Sequence, residues 1–170
     1  MQLKNLIRDV PDFPKKGIIF KDITPLLLNG AAIREAVDKI SSFFSKKKID
    51  AVCGIEARGF ILGSAVAYKL STGFIPIRKP GKLPSECAKQ SYDLEYGTDA
   101  IEMHKDSVTS GKHILMIDDL LATGGTMRAA AELVTRLGGH VVGIGFLVEL
   151  SFLNGREKLK TYPIKSLITY

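Results

Sequence analysis

Apolar positions along the chain follow two rhythms. Over residues 31 to 47, AAIREAVDKISSFFSKK, Ile33, Ala36, Val37, Ile40, Phe43 and Phe44 recur at helical spacing behind the turn signal Asn29-Gly30, which predicts an amphipathic helix. Residues 50 to 55, DAVCGI, form a short apolar run bounded by charge, and the turn EARGF leads from it into a second helical stretch, ILGSAVAYKLSTG. FIPI (74 to 77) and HILMID (113 to 118) read as further strands, TMRAAAELVTRLG as a helix closed by Gly138-Gly139, and HVVGIGFLVEL as a fourth strand. Strands that are apolar almost throughout, interleaved with helices, are buried on both faces. The pattern predicts an α/β fold with a mostly parallel central sheet flanked by helices.

Two segments break the rhythm. RKPGKLPSECAKQ, from residue 78 onward, mixes Pro, Gly and Lys with little to bury and predicts a mobile loop. After it, SYDLEY and DAIEMH flank Gly97-Thr98 and can pair as a hairpin, so that 78–105 forms one flexible excursion from the sheet. The first segment, 1–28, has turns at Pro11, Pro14 and Pro25 and a short extended run, GIIFKDI; it is expected to pack over one edge of the sheet as a small hood.

Composition narrows the class. A chain of 170 residues with 45% hydrophobic content suits a single domain with a full core. No apolar run approaches the roughly 18 residues of a membrane span, and MQLKNLIRDVPDFPKKG lacks the apolar stretch and cleavage site of a signal peptide, so a cytoplasmic protein is expected. Cys53 and Cys87 form no CxxC and read as plain thiols, and His104, His113 and His140 form no metal-ligand pattern. The net charge of +6 fits either an anionic partner or a merely basic surface. SKKKID reads as a solvated helix end, and no nucleic-acid-binding signature accompanies it, so a small phosphorylated ligand accounts for the charge as well as RNA would.

The most informative string is ILMIDDLLATGGT, Ile114 to Thr126, in which a buried strand ends on two aspartates and a run of small residues opens a helix. In a parallel sheet ligands bind beyond the carboxyl ends of the strands, where this string and Glu56-Ala57-Arg58-Gly59 both fall, so the two loops should face one pocket. Small residues let backbone N–H groups approach a phosphate, the helix adds its positive end, and Thr123 and Thr126 add hydroxyls. Asp118 and Asp119 can accept hydrogen bonds from sugar hydroxyls beside it, and phosphate plus diol describes a ribose 5-phosphate. The bland alternative is a turn whose acids only cap the helix. EARGF taken alone is equally compatible with a plain turn. Neither GxxxxGK[ST] nor a strand-following GxGxxG is present.

ILMIDDLLATGGT resembles the phosphoribosyl pyrophosphate motif of the type I phosphoribosyltransferases. PDFPKKGIIFKDITPLL, EARGFILG, RKPGKLP, YDLEYG and VELSFLNGREKLK are similar, in order and over nearly the whole chain, to the members of that family that act on adenine. The resemblance implies transfer of phosphoribosyl from phosphoribosyl pyrophosphate to adenine, giving AMP and pyrophosphate with Mg²⁺ carried mainly by substrate oxygens, in a homodimer. It implies that Ala122, Thr123, Gly124, Gly125 and Thr126 hold the 5-phosphate and that Asp118 and Asp119 hold the ribose hydroxyls. Arg58 and the N–H groups of Glu56, Ala57 and Gly59 then take the pyrophosphate, in a loop that in this family often contains a non-proline cis peptide. Lys79 and Lys82 fold over the pyrophosphate, and Arg78 reaches toward the neighbouring subunit; without the resemblance, lysines on such a loop read as solubilising.

By the same resemblance Glu95 is the proton shuttle at adenine, with Tyr96 beside it, and the backbone of Ile19 and Lys21 recognises the base between Ile19 or Phe20 and Leu150. Many relatives carry Arg where this chain has Lys21. Two rival readings remain: a sensor that binds phosphoribosyl pyrophosphate without turnover, and a sister enzyme acting on an oxopurine or orotate.

Overall fold

The computed structural model describes residues 2–93 and 97–170. In chain order the elements are β1 (Arg8–Pro11), β2 (Ile19–Asp22), α1 (Thr24–Leu28), α2 (Gly30–Phe44), β3 (Ala51–Ile55), α3 (Arg58–Lys69), β4 (Gly73–Ile77), β5 (Cys87–Asp93), β6 (Thr98–His104), β7 (His113–Leu121), α4 (Gly125–Arg136), β8 (His140–Glu149) and β9 (Ile164–Thr169). Five strands form the central sheet in the order β4-β3-β7-β8-β9. Every pairing in it is parallel.

The apolar strands are buried on both faces, as the sequence predicts. Along β7, Ile114 and Met116 join one core cluster while Leu115 and Ile117 join the other, because successive strand residues point to opposite faces. One face is covered by Met127, Leu133 and Val134 of α4 together with Ile101 and Met103 of β6. The other is covered by Ala36, Val37, Ile40 and Phe44 of α2 and by Leu62 and Val66 of α3. Burying each such Leu, Ile or Phe stabilises the fold by about 1.5–3 kcal/mol.

The structure departs from the sequence reading in four places. Phe43, expected on the buried stripe of α2, is 49% exposed; its neighbour Phe44 takes the position over the sheet, and the two rings meet edge to face at 4.9 Å. β7 does not end at Asp118 but continues to Leu121, because β8 runs alongside it and offers Val148 and Glu149 as partners to Leu120 and Leu121. The segment read as loop up to Gln90 is already strand from Cys87, paired to β6 across the register Cys87↔His104 to Asp93↔Thr98. No pattern in the sequence predicts β9: IKSLIT is an edge strand, mostly half-buried, without a continuous apolar run.

The N-terminal segment forms the short antiparallel hairpin β1–β2. Its Lys21 ammonium and that of Lys4 both lie over the ring of Tyr170, just beyond edge strand β9.

Candidate active site

Three carboxyl ends of the sheet converge. β3 leads through the cis peptide Glu56–Ala57 into α3, β4 leads into Arg78 and Lys79, and β7 leads through Ala122–Gly124 into α4. A cavity of about 270 Å³ lies between them, lined by Ile55, Glu56, Ala57, Arg58, Arg78, Lys79, Tyr92, Ile101, Asp118, Asp119, Leu120 and Thr126. A smaller cavity of about 80 Å³ is enclosed by Asp118 and residues 120 to 127. The two loops read as phosphate-shaped in the sequence thus face adjoining spaces.

The ends of the helices differ in a way that points to ligands. The first N–H groups of any helix lack intrahelical partners. On α2, remote from the cavities, Asn29 Oδ1 satisfies two of them, accepting from Ala31 N at 3.1 Å and Ala32 N at 3.0 Å. On α3 and α4 no side chain caps the start, and neither first turn contains an acid. Asp118 and Asp119 therefore do not cap α4, and the reading in which they serve only its N-terminus fails. Gly124 reaches the left-handed region, with φ +77°, to turn the strand into the helix.

Asp118 and Asp119 meet different partners. Asp118 Oδ1 accepts from the N–H of Asp119 at 2.9 Å. A Cβ on Gly59 would come within 2.7 Å of that same Oδ1, so the start of α3 sits directly against the acid only because residue 59 is glycine. Asp119 is 5% exposed, and its Oδ2 lies 2.7 Å from Arg58 Nε. The guanidinium N–H is not aimed at it, and Oδ2 accepts no hydrogen bond from the described residues. Burial, reinforced by the charge of Asp119, pushes Asp118 well above the usual carboxylate range. Burial raises Asp119 too, although Arg58 opposes the shift.

Beside Arg78 and Lys79, Glu56 works as a brace. Its Oε2 accepts from Arg78 Nε at 2.6 Å and its Oε1 from the N–H of Lys79 at 2.8 Å. These bonds outweigh its partial burial and lower its pKa. Arg78 also donates from Nη1 to the Lys82 carbonyl at 3.1 Å, so its side chain is engaged within its own chain. The Lys79 ammonium is paired with Asp99 and lies 3.4 Å from the Tyr92 hydroxyl. Lys82 is exposed.

Ile19, Phe20, Lys21 and Leu150 lie apart from the cavities. Ile19 is 56% exposed on β2, and Phe20 packs edge to face on Phe13 at 5.1 Å. The Arg58 guanidinium stands 5.0 Å from the Phe20 ring, which links the hairpin to the loop after β3. Lys21 pairs with Asp9 at 2.7 Å, and Leu150 follows β8 half-buried. Glu95 and Tyr96 lie outside the described residues.

Sequence reasoning missed Tyr92 and Asp99, which face each other across β5–β6 and meet Lys79, and Gly155, which backs the loop before α4. Tyr92 and Asp99 join the site through Lys79, 13 and 20 residues away, and Gly155 through a contact across the fold, so no local pattern marks them.

A parallel sheet whose uncapped helix starts converge on a cavity with buried acids and basic side chains defines an α/β protein with a polar site at the carboxyl ends of its strands. The chain belongs to the phosphoribosyl transferase domain family, which residues 24–169 match, and has the type I phosphoribosyltransferase fold. An adenine phosphoribosyltransferase from Thermotoga petrophila is 55% identical over 170 residues, covering all of both chains. The crystal structure of the adenine phosphoribosyltransferase from Thermoanaerobacter pseudethanolicus superposes with a TM-score of 0.96 at 52% identity, covering 99% of this chain and 98% of that one. That of Giardia lamblia, complexed with 9-deazaadenine, gives 0.94 at 39% identity, covering 99% and 96%.

Proposed function

We propose that the protein transfers phosphoribosyl from phosphoribosyl pyrophosphate to adenine, giving AMP and pyrophosphate. The observation that carries the reading is the pair of uncapped helix starts, α3 and α4, meeting at a cavity that holds Asp118, Asp119 and Arg58. Its base specificity rests on the full-length similarity to enzymes named for adenine.

In this reading the N–H groups of Ala122–Thr126 and the hydroxyls of Thr123 and Thr126 bind the 5-phosphate, and Asp118 and Asp119 accept from the 2- and 3-hydroxyls. The bond from the anomeric carbon to pyrophosphate breaks with its electron pair leaving on the pyrophosphate, and a bond to adenine nitrogen forms. The carbon becomes cation-like between these events, and the buried acids stabilise it more than they stabilise the ground state. Arg58, the N–H groups at Ala57 and Gly59, Lys79 and Lys82 receive the leaving charge, with Glu56 holding Arg78 and Lys79 in place. Glu95 takes the proton that adenine loses. The hood, 1–28, binds the base through the backbone of Ile19 and Lys21, between Phe20 and Leu150, and 78–105 closes over the site to exclude water.

Mg²⁺ fits this arrangement as an ion carried by substrate oxygens. Asp119 Oδ2 is a buried oxygen that accepts no hydrogen bond from the described residues, and among those residues no three His, Cys, Asp or Glu side chains gather. When bound, the ion neutralises pyrophosphate charge. A homodimer belongs to the same reading by the family resemblance; Ile61 and Tyr68, 42% and 88% exposed on one face of α3, offer apolar surface to it. Among the described residues no helix is long and apolar enough to cross a membrane, and a cytoplasmic site of action accords with that.

Incubation with labelled phosphoribosyl pyrophosphate and one base at a time tests the reading. Label should move to adenine; movement to hypoxanthine, xanthine or orotate instead overturns the base assignment, and binding without turnover makes the protein a sensor.

A further inference from the structure

The 5-phosphate loop is supported from behind by a segment remote in sequence. A Cβ built on Gly155 would collide with the Ala122 carbonyl oxygen and lie 2.9 Å from Gly124 N, and a Cβ on Gly124 would collide with the Gly155 carbonyl oxygen. The two glycines therefore press backbone against backbone. The residue after Gly155 is Arg156, whose guanidinium makes a two-point fork with Glu149: Nε to Oε1 at 2.9 Å and Nη2 to Oε2 at 2.5 Å. Glu149 is 6% exposed and ends β8. Its backbone is fixed on both sides, paired with Leu121 in the sheet and accepting at its carbonyl from Tyr170 N at 3.0 Å. Leu121 is the residue immediately before Ala122.

We infer that Glu149 and Arg156 are positioning residues for the 5-phosphate site: the fork holds Gly155 against Ala122 and Gly124 and so fixes where the loop's N–H groups point. The assignment rests on the reading of Ala122–Thr126 as the phosphate loop. A fork needs a planar guanidinium, so Lys at 156 keeps the charge and loses the geometry. Neither residue lines the cavities, and their effect reaches the ligand through Gly155 and through Leu121, which Glu149 pairs in the sheet.

The test measures ribose 5-phosphate binding by calorimetry, and KM for phosphoribosyl pyrophosphate and for adenine, in the full chain. Gly155→Ala disturbs the contact without touching the fork. Arg156→Lys loosens the fork, and Glu149→Met with Arg156→Met removes it without leaving a lone buried charge. All three should weaken ribose 5-phosphate binding, the double variant by about tenfold, and raise the pyrophosphate-substrate KM alike, with adenine KM within about twofold. Folded variants that lose thermal stability but bind ribose 5-phosphate as the wild type does overturn the inference, as does an equal loss of affinity for both substrates. If the double variant does not fold, Arg156→Lys and Gly155→Ala decide by the same criteria. A wild type that binds ribose 5-phosphate but does not use adenine overturns only the base assignment; one that fails to bind it overturns the phosphate-loop reading itself.

Discussion

Arg58 Nε stands 2.7 Å from Asp119 Oδ2, yet the oxygen accepts no hydrogen bond from the described residues. The pair is close in charge but unsatisfied in geometry, as expected of groups held ready for substrate. Removing Arg58 leaves Asp119 buried without its counter-charge and, in the proposed reading, takes a cation from the leaving-group side. Arg58→Ala should lower kcat/KM by about 10²–10³-fold, a loss of the size seen when one charge-stabilising donor is removed. Asp118→Asn with Asp119→Asn should also lower turnover strongly, and Glu95→Gln less; an unchanged rate for Glu95→Gln would remove that residue from the mechanism.

The raised pKa values of Asp118 and Asp119 have two consequences of opposite sign. In the proposed reading the ribose hydroxyls bind ionised carboxylates, so activity should fall on acidification at a higher pH than ordinary aspartates would give. Stability runs the other way. The folded pair holds protons more tightly than the unfolded chain, whose aspartates titrate near 3.9. Its contribution is therefore present below that range and is lost as pH rises through the elevated folded values. Asp118→Asn should accordingly melt higher than the wild type at neutral pH while turning over more slowly. A lower melting temperature by calorimetry would contradict the assignment.

Lys79 is held by Asp99 and Tyr92. Both partners of the ion pair are partly exposed, so the pair contributes no more than about 1 kcal/mol. Asp99→Asn should release the ammonium and tighten pyrophosphate binding by up to about fivefold, while Lys79→Met weakens it. Calorimetric titration with pyrophosphate reads both effects directly.

Chelation should separate activity from folding. With Mg²⁺ carried by substrate, EDTA should abolish transfer and leave the melting temperature of the ligand-free protein unchanged. A drop in melting temperature would indicate a structural metal.

The parts of the fold that could be read from sequence are those in which one segment carries its own signal. HILMID and HVVGIGFLVEL are buried on both faces and therefore apolar throughout, and α2 shows its stripe and its Asn29 cap. IKSLIT, an edge strand, shows neither pattern and was missed. The extension of β7 past Asp118 depends on where β8 ends, and the choice of Phe44 over Phe43 depends on the sheet beneath α2. At the site, DDLLATGGT brings its acids, small residues and helix start in a single string, whereas EARGF taken alone reads equally as a plain turn and gains its meaning from facing that string across the sheet. Glu149, Arg156 and Gly155 were legible only as part of a resemblance, since their role arises from contacts with Leu121, Ala122 and Gly124 across the fold.

The central claim is most directly tested by the position of AMP in a crystal of the complex. The phosphate should lie against the N–H groups of Ala122–Thr126, with the ribose hydroxyls at Asp118 and Asp119. A phosphate bound anywhere else, with that loop left to solvent, would contradict the account.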